Sequence, residues 1–313
     1  MSVRNLQHYA LSVPDPEAGK QFYEDFGLDG RVDGNRVVMR CAGRDQDQVI
    51  LTEGAKRKLH HICFGTTEDG LAAIRKQVEA GDDTRLVDAP NDTPGPGLWI
   101  MDWEEQLTNV RVAEAAPSRG GPDAITDEPA WGINCPGHYD RRGPRGYPPR
   151  DSVVKPRRLG HVLHFTSDIN RRLAFHQNVL GLRLSDRSGD LVAFMHHEGG
   201  SDHHILGLIQ SDLPGFHHGS YEVASVDEVG LGGCQLLAKG YKDGWGLGRH
   251  AIGSNFFHYI RDPWNSLAEY FCDIDYIPDA DTWQADDWPA EDSLYVWGPD
   301  VPEDFGANFE AVD

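Results

Sequence analysis

An internal repeat constrains this chain more than any other feature of its sequence. Residues 7–28, QHYALSVPDPEAGKQFYEDFGL, align with residues 160–182, GHVLHFTSDINRRLAFHQNVLGL, so that His8 pairs with His161. Each copy is typical of a strand, a turn whose aspartate can cap a helix, an amphipathic helix and a Gly-Leu exit. The recurrence indicates a fold built from repeated strand–helix–strand units.

Two further matches follow in the same order along the chain. LHHICFGTTEDGLAAI at 59–74 parallels FHHGSYEVASVDEVGL at 216–231, and IMDWEEQLTNV at 100–110 parallels IRDPWNSLAEY at 260–270. The aligned polar pairs in these segments are His61 with His218 and Asn109 with Glu269. Three matches in one order indicate a tandem duplication rather than a chance likeness.

The duplication predicts four regions. These are a first module at 1–112, a linker at 113–157, a second module at 158–275 and an acidic extension at 276–313. Glycine, proline and arginine dominate the linker, which predicts little regular structure there. Short alternating strands such as SNFFHYIRD predict a mixed α+β fold with a curved, mainly antiparallel sheet. The extension carries tryptophans that predict packing onto the body, namely Trp283, Trp288 and Trp297.

Composition narrows the function classes. Asp and Glu total 50 against 29 Lys and Arg, a net charge of −21, which repels nucleic acid and argues against it as a partner. No run approaches the roughly 18 apolar residues of a membrane span, and no signal peptide is visible, so we expect a cytoplasmic protein. Five scattered cysteines without a CxxC pair argue against disulfides or thiolate zinc. The glycine clusters at 230–233 and 244–248 lack dinucleotide-binding spacing and predict turns.

Three candidate metal ligands lie on three predicted strands of the second module. His161 and His218 each open a strand, and Glu269 lies within a third. If the sheet curls, one strand face becomes the wall of a pocket. Two imidazoles and one carboxylate on one side of an ion leave its other positions open. That arrangement suits non-haem Fe(II), and Mn(II) binds such a set with comparable geometry.

A strand histidine is more often structural than a ligand, and the chain has 15 histidines. The comparison between repeats favours the metal site. The first module keeps both histidine positions, but its third position is Asn109, an uncharged and poor ligand for a divalent ion. The sequence therefore predicts one complete site and one degenerate site. Strand alternation predicts that His217 points to the opposite face from His218 and is structural.

Four motifs of the second module carry a family resemblance: RLGHVLHFTSD, SDHHILGL, FHHGSYEVASVDEVG and GLGRHAIGSNFFHYIRDPWNSLAEYFCD. Over nearly its whole length, the chain resembles type I extradiol ring-cleavage dioxygenases of the vicinal oxygen chelate superfamily. It is similar to catechol 2,3-dioxygenases and dihydroxybiphenyl dioxygenases. The resemblance implies tandem paired βαβββ modules, the glyoxalase–dioxygenase fold, closing two barrel-like domains. It also implies a homo-oligomer.

The resemblance further implies the reaction and the residues around it. We expect a non-haem Fe(II)-dependent enzyme that cleaves a catechol-type ring with dioxygen in aromatic-compound degradation. His204 matches the family's acid–base histidine, and His250 and Tyr259 match residues that hydrogen-bond the substrate oxygens. Leu163, two residues after His161, stands where some relatives have a polar residue, which predicts an apolar preference.

Two other functions are compatible with this fold. A metal-dependent glyoxalase-type isomerase typically gathers a fourth protein ligand, and both Asn109 and the spacing from His250 through Tyr259 to Glu269 argue against it. A metal-free binding module, as in bleomycin-resistance proteins, is usually a single module and has no reason to keep a ligand triad. A dioxygenase is therefore the preferred interpretation.

Overall fold

A computed structural model describes residues 2–93, 95–114 and 151–311. Most of the predicted linker, 115–150, lies outside the described residues. In these ranges every helix is too short or too polar to cross a membrane.

The first module consists of two units, each a strand, a helix and three more strands. The first unit contains β1 (Asn5–Val13), α1 (Pro16–Asp25), β2 (Asp29–Asp33), β3 (Arg36–Arg40) and β4 (Val49–Glu53). The second contains β5 (Lys58–Thr66), α2 (Glu68–Ala80), β6 (Thr84–Val87), β7 (Leu98–Asp102) and β8 (Leu107–Val112). Their strands form one sheet in the order β2-β3-β4-β1-β5-β8-β7-β6.

The second module repeats this plan. Its first unit contains β9 (Arg158–Thr166), α3 (Ile169–Asn178), β10 (Arg183–Ser188), β11 (Val192–His196), the short β12 (Ser201–Asp202) and β13 (Leu206–Gln210). Its second contains β14 (Gly215–Glu222), α4 (Val226–Ala238), β15 (Asp243–His250), β16 (Phe256–Arg261) and β17 (Leu267–Cys272). The extension adds β18 (Tyr276–Ile277), α5 (Ala290–Ser293) and β19 (Tyr295–Trp297). The main sheet runs β10-β11-β13-β9-β14-β17-β16-β15-β19.

The paired βαβββ fold predicted from the sequence is confirmed. Each unit's first strand pairs in parallel with its last strand, as β1 does with β4 and β14 with β17, and the remaining pairs are antiparallel. The predicted helix caps also form at both copies. The Asp15 carboxylate accepts hydrogen bonds from the backbone N–H groups of Glu17 and Ala18, and Asp168 accepts one from Arg171.

Buried aromatic residues join the two modules. The Tyr9 hydroxyl on β1 lies 2.8 Å from the Tyr221 hydroxyl on β14, and the Phe26 ring stacks on Tyr270 with centroids 3.8 Å apart. Gly219 lies directly under the Tyr9 ring, where a Cβ atom would approach it to 2.5 Å. The central strands of both sheets therefore share one interface.

The prediction that the glycine clusters form turns is wrong. Residues 230–233 lie within helix α4, and residues 244–248 lie within strand β15. The reason is packing, because a Cβ atom at Gly233 would lie 2.0 Å from Nδ1 of His258 on the sheet below. Glycine lets the helix approach the sheet closely, and this tertiary demand overrides the local preference for turns.

The extension packs onto the second module, as its tryptophans predicted. Strand β19 pairs with β15 at the edge of the main sheet, and β18 pairs with β12. The Trp283 indole N–H donates a hydrogen bond to the Ser185 carbonyl at 2.8 Å. The chain after residue 275 therefore covers one end of the second module.

Candidate metal centre and active site

Three neighbouring strands bring the predicted ligands together. Ser220 on β14 pairs with His161 on β9 and with Glu269 on β17, and His218 lies two residues before Ser220 on the same strand face. The Nε2 atoms of His161 and His218 lie 3.2 and 3.4 Å from Oε2 of Glu269. All three ligand atoms lie within 4.8 Å of one another, and all three residues are buried.

The arrangement fits a divalent cation. Nε2 of His218 is buried and has no hydrogen-bond partner among the described residues, which is costly unless something binds it. Two ligands at right angles on an ion, each at about 2.1 Å, stand about 3 Å apart. The observed nitrogen-to-oxygen separations are close to that value, and the donor set of two imidazoles and a carboxylate is one that Fe(II) and Mn(II) accept.

Glu269 supplies the negative charge of the site. Burial alone would raise the pKa of its carboxyl, but the neighbouring His161 and His218 imidazoles hold that pKa well below its usual value. The Asn255 side-chain amide donates a hydrogen bond to Oε1 of Glu269 at 3.2 Å and thereby orients it. An ionised, oriented carboxylate is what a metal ligand requires.

His217 does not point away from the site as strand alternation predicted. The register shifts between Phe216 and His218, a bulge that interrupts the alternation, and both histidines line one cavity. Nδ1 of His217 lies 2.6 Å from Nδ1 of His218, and its Nε2 lies 2.7 Å from the Phe305 carbonyl. Since a carbonyl only accepts, Nε2 of His217 donates, and the neutral ring accepts from Nδ1–H of His218. Nε2 of His218 then keeps a lone pair for a metal.

His250 and Tyr259 form a hydrogen-bonded pair at the side of the site. Nδ1 of His250 donates to the Leu294 carbonyl at 2.8 Å, so the neutral ring accepts from the Tyr259 hydroxyl through Nε2, also at 2.8 Å. Burial lowers the pKa of His250 to about 4, and burial followed by the charge of Glu269 raises the pKa of Tyr259 well above its ordinary value. Both groups are therefore uncharged at neutral pH.

His204 stands on the other side of the ligands. Its ring centroid lies 4.3 Å from that of His161, and its Nδ1 lies 3.0 Å from Nδ1 of His203. Burial, followed by the charges of neighbouring histidines, lowers the pKa of His204 well below its ordinary value. A neutral imidazole therefore borders the ligands.

These groups line a cavity of about 280 Å³ whose remaining walls are largely apolar. No lysine or arginine is among its lining residues in the described part of the chain. The C-terminal extension closes one side of the cavity. The apolar lining from the body and the extension includes Leu163, Val192, Phe194, Ile209, Ile252, Leu294 and Phe305.

The structure thus brings all six residues singled out from the sequence to one place. The roles assigned to them remain predictions. The sequence analysis missed Asn255, and it gave no role to His203 beside His204. Asn255 falls inside the motif between His250 and Glu269, so a polar residue near two predicted site residues was the available signal.

The chain is similar to several known proteins. Residues 158–270 match the family described as the glyoxalase/bleomycin resistance protein/dioxygenase superfamily. The chain is 42% identical to metapyrocatechase 2 of Cupriavidus necator, over 99% of this chain and 93% of the relative. It is 31% identical to an iron-dependent extradiol dioxygenase of Rhodococcus jostii strain RHA1, over 96% and 98%. A Mn(II)-bound glyoxalase from Novosphingobium aromaticivorans aligns with a TM-score of 0.75, at 25% identity over 99% of both chains.

Proposed function

The chain belongs to the extradiol dioxygenases of the glyoxalase/bleomycin resistance protein/dioxygenase superfamily, and from this membership we propose how its residues act. It is a meta-cleavage catechol dioxygenase, an oxidoreductase of aromatic catabolism that places both atoms of dioxygen in the product. The observation that carries the assignment of roles is the convergence of His161, His218 and Glu269 at a buried apolar cavity.

His161, His218 and Glu269 would hold the family's Fe(II). When bound, Fe(II) supplies electron transfer between the catechol ring and dioxygen, because two histidines and one carboxylate leave coordination positions open. The same donor set also suits Mn(II), the metal of the aligned glyoxalase. Two of the three ligands are held in orientation by hydrogen bonds, one that His217 accepts from His218 and one that the Asn255 amide donates to Glu269.

The remaining polar groups act on the catechol oxygens and on protons. His204 is the proposed acid–base group, because it is neutral, lines the cavity and borders the ligands. The Tyr259 hydroxyl, which donates to His250, can accept a hydrogen bond from a substrate hydroxyl through its oxygen. The largely apolar walls limit the contact of water with the reacting groups.

The substrate's ring substituent is proposed to be uncharged and apolar. The cavity has no lysine or arginine among its described lining residues to neutralise a carboxylate, and burying an unpaired charge is costly. Leu163, from which the sequence predicted this preference, lines the cavity. Two further lining residues, Leu191 at 60% exposed and Leu294 at 37% exposed, extend the apolar surface toward solvent. A homo-oligomer and a cytoplasmic location stay predictions.

Oxygen uptake by anaerobically purified, Fe(II)-loaded protein tests these assignments. We expect one dioxygen per catechol and a rising yellow absorbance with catechol, 3-methylcatechol and 3-phenylcatechol. Catechols that carry a carboxylate should have kcat/KM values lower by about 10-fold or more, because even the partly compensated cost of burying a charge exceeds 1.4 kcal/mol. Faster cleavage of the carboxylated compounds would contradict the proposed substrate preference.

A glyoxalase-type isomerase is the alternative function that the likeness to the Mn(II)-bound glyoxalase suggests. The cluster of ligand atoms holds three residues in the part of the chain that the structure describes, whereas such isomerases typically use a fourth. An isomerase consumes no dioxygen. Absence of uptake with every catechol, in protein that contains one iron per chain, would favour this alternative.

A further inference from the structure

A hydrogen-bonded line of three side chains leads from the edge of the second sheet to the cavity. Oδ2 of Asp186 on β10 lies 3.0 Å from Nε2 of His203, and Nδ1 of His203 lies 3.0 Å from Nδ1 of His204. The three residues are 6%, 1% and 3% exposed. Asp186 and His203 have no part in the function proposed above, yet they determine what surrounds His204.

The chemistry of the three groups gives the hydrogen bonds a direction. An ionised carboxylate can only accept, so Nε2 of His203 carries the proton that faces Asp186. A neutral imidazole has one N–H, and Nδ1 of His203 is therefore an acceptor. Nδ1 of His204 must then donate, which leaves Nε2 of His204 unprotonated and available to the cavity.

The short contact between Nε2 of His203 and Asp186 sets this direction, because the carboxylate holds the single proton of the ring on that nitrogen. The same logic holds in the Ser-His-Asp triad, where a buried aspartate fixes the tautomer of a neutral histidine without taking its proton.

The C-terminal extension holds the outer end of this line in place. The Asp286 backbone N–H donates to Oδ1 of Asp186 at 2.7 Å, so both carboxylate oxygens are engaged. The Trp283 ring packs edge-on against the His203 ring with centroids 5.6 Å apart, and the backbone N–H of His203 donates to the Asp275 carbonyl. With these contacts, neither the carboxylate nor the imidazole can rotate freely.

We propose that Asp186 and His203 are positioning residues that present His204 to the catechol with Nε2 unprotonated, so that His204 receives a proton from a catechol hydroxyl. In that step the substrate O–H bond breaks, an Nε2–H bond forms on His204, and the catechol oxygen keeps the electron pair. The proposal rests on the proposed function, in which His204 is the acid–base group.

The tautomers can be read directly by nitrogen-15 NMR of histidine-labelled, Zn(II)-loaded full-length protein, with His203→Gln and His204→Gln variants to assign the signals. We expect the Nε2–H form for His203 and the Nδ1–H form for His204. An Nε2–H form of His204, or a charged His203, would overturn the proposal. This readout does not depend on turnover, so it stands apart from the proposed function, which fails instead if the iron-loaded protein cleaves no catechol.

Kinetics of three variants complete the test. In Asp186→Asn, the side-chain amide can donate to Nε2 of His203, which reverses the direction of both hydrogen bonds and puts the proton of His204 on Nε2. We therefore expect kcat to fall roughly 10- to 100-fold with KM and iron content unchanged. Asp186→Glu keeps a carboxylate and should recover part of the loss. The control is Asp287→Asn, an exposed neighbour whose carboxylate binds the Gly189 N–H and does not touch the line. An unchanged kcat for Asp186→Asn, or a loss that only follows lost iron, would overturn the positioning role.

Discussion

The two modules keep the same pair of histidines but use them differently. In the second module, His161 and His218 both face the carboxylate of Glu269. In the first, Nε2 of His8 lies 2.9 Å from Nε2 of His61, so the two imidazoles bond to each other. The two imidazoles of such a pair can therefore bond to each other, and the anionic third ligand is what makes the pair a site for a cation.

The third position explains why the first cluster is closed. The Asn109 amide donates to the carbonyls of Leu98 and Pro96 at 3.1 and 3.3 Å, and its oxygen accepts from the Cys63 thiol. Trp99 is the counterpart of Tyr259, because it pairs across the strands with Asn109 as Tyr259 does with Glu269. The centroid of the Trp99 ring lies 4.8 Å from that of His61. In the first module, the Trp99 indole and the Asn109 side chain with its backbone hydrogen bonds occupy this space. In the second module, the corresponding space is left for a substrate.

The largest expected effect comes from removing the residue that distinguishes the modules. Glu269→Ala should abolish bound iron, and ring cleavage with it, because two neutral imidazoles then lack the charged ligand. Iron per chain by metal analysis and catechol turnover measure the two effects. Glu269→Asn copies the first module and should fail in the same way.

Retention of one iron per chain in Glu269→Ala would show that this carboxylate is not a ligand. Wild-type protein should contain one iron and not two, since His8 and His61 are already paired. A second tightly bound iron would remove the distinction between the modules.

The next effect separates metal binding from chemistry. His204→Phe should keep iron at wild-type occupancy and lower kcat by roughly 10²- to 10⁴-fold, the usual contribution of a positioned acid–base group. Asp47 is the counterpart of His204 in the first module. Each lies two residues before a corresponding strand position, Val49 for Asp47 and Leu206 for His204. Asp47 is bound to Arg40 at 2.6 Å, so Asp47→Asn is the matched control and should leave turnover unchanged. Wild-type turnover of His204→Phe would remove this residue from the mechanism.

The sequence predicted the parts of the molecule that local periodicity and repetition determine. The helix caps at Asp15 and Asp168 follow from an aspartate that precedes each amphipathic helix. The meeting of His161, His218 and Glu269 follows from the alignment of the repeated strands. By contrast, the roles of His250, Tyr259 and His204 came from family resemblance, because an aromatic or histidine on a strand is structural by default.

What the sequence did not predict depends on contacts between distant residues. A single bulge before His218 turned His217 into the cavity, against strict alternation. The carbonyls of Leu294 and Phe305, which fix the tautomers of His250 and His217, reach the site only because the extension folds back over it. No local pattern encodes that path, nor the close packing that places glycines 230–233 within a helix.

A smaller effect tests whether the paired histidines differ between modules. His217→Phe should weaken iron binding by roughly 10- to 100-fold, because it removes the acceptor that orients His218. His60 makes the same contact with His61 in the first module, Nδ1 to Nδ1 at 2.8 Å. His60→Phe should leave iron affinity unchanged, and Fe(II) titration of both variants measures the difference. Equal effects would mean that the two pairs are equivalent.

The smallest effect on activity belongs to Asn109→Ala. The variant should cleave catechol at the wild-type rate, because Asn109 lies in a cluster that holds no substrate. It should nevertheless unfold more easily by about 1–3 kcal/mol, since the Leu98 carbonyl at 3.1 Å loses its buried donor. Denaturant unfolding followed together with turnover tests both statements. A large loss of activity without a loss of stability would show that the first module takes part in catalysis. The proposed difference between a metal site in the second module and none in the first would then be wrong.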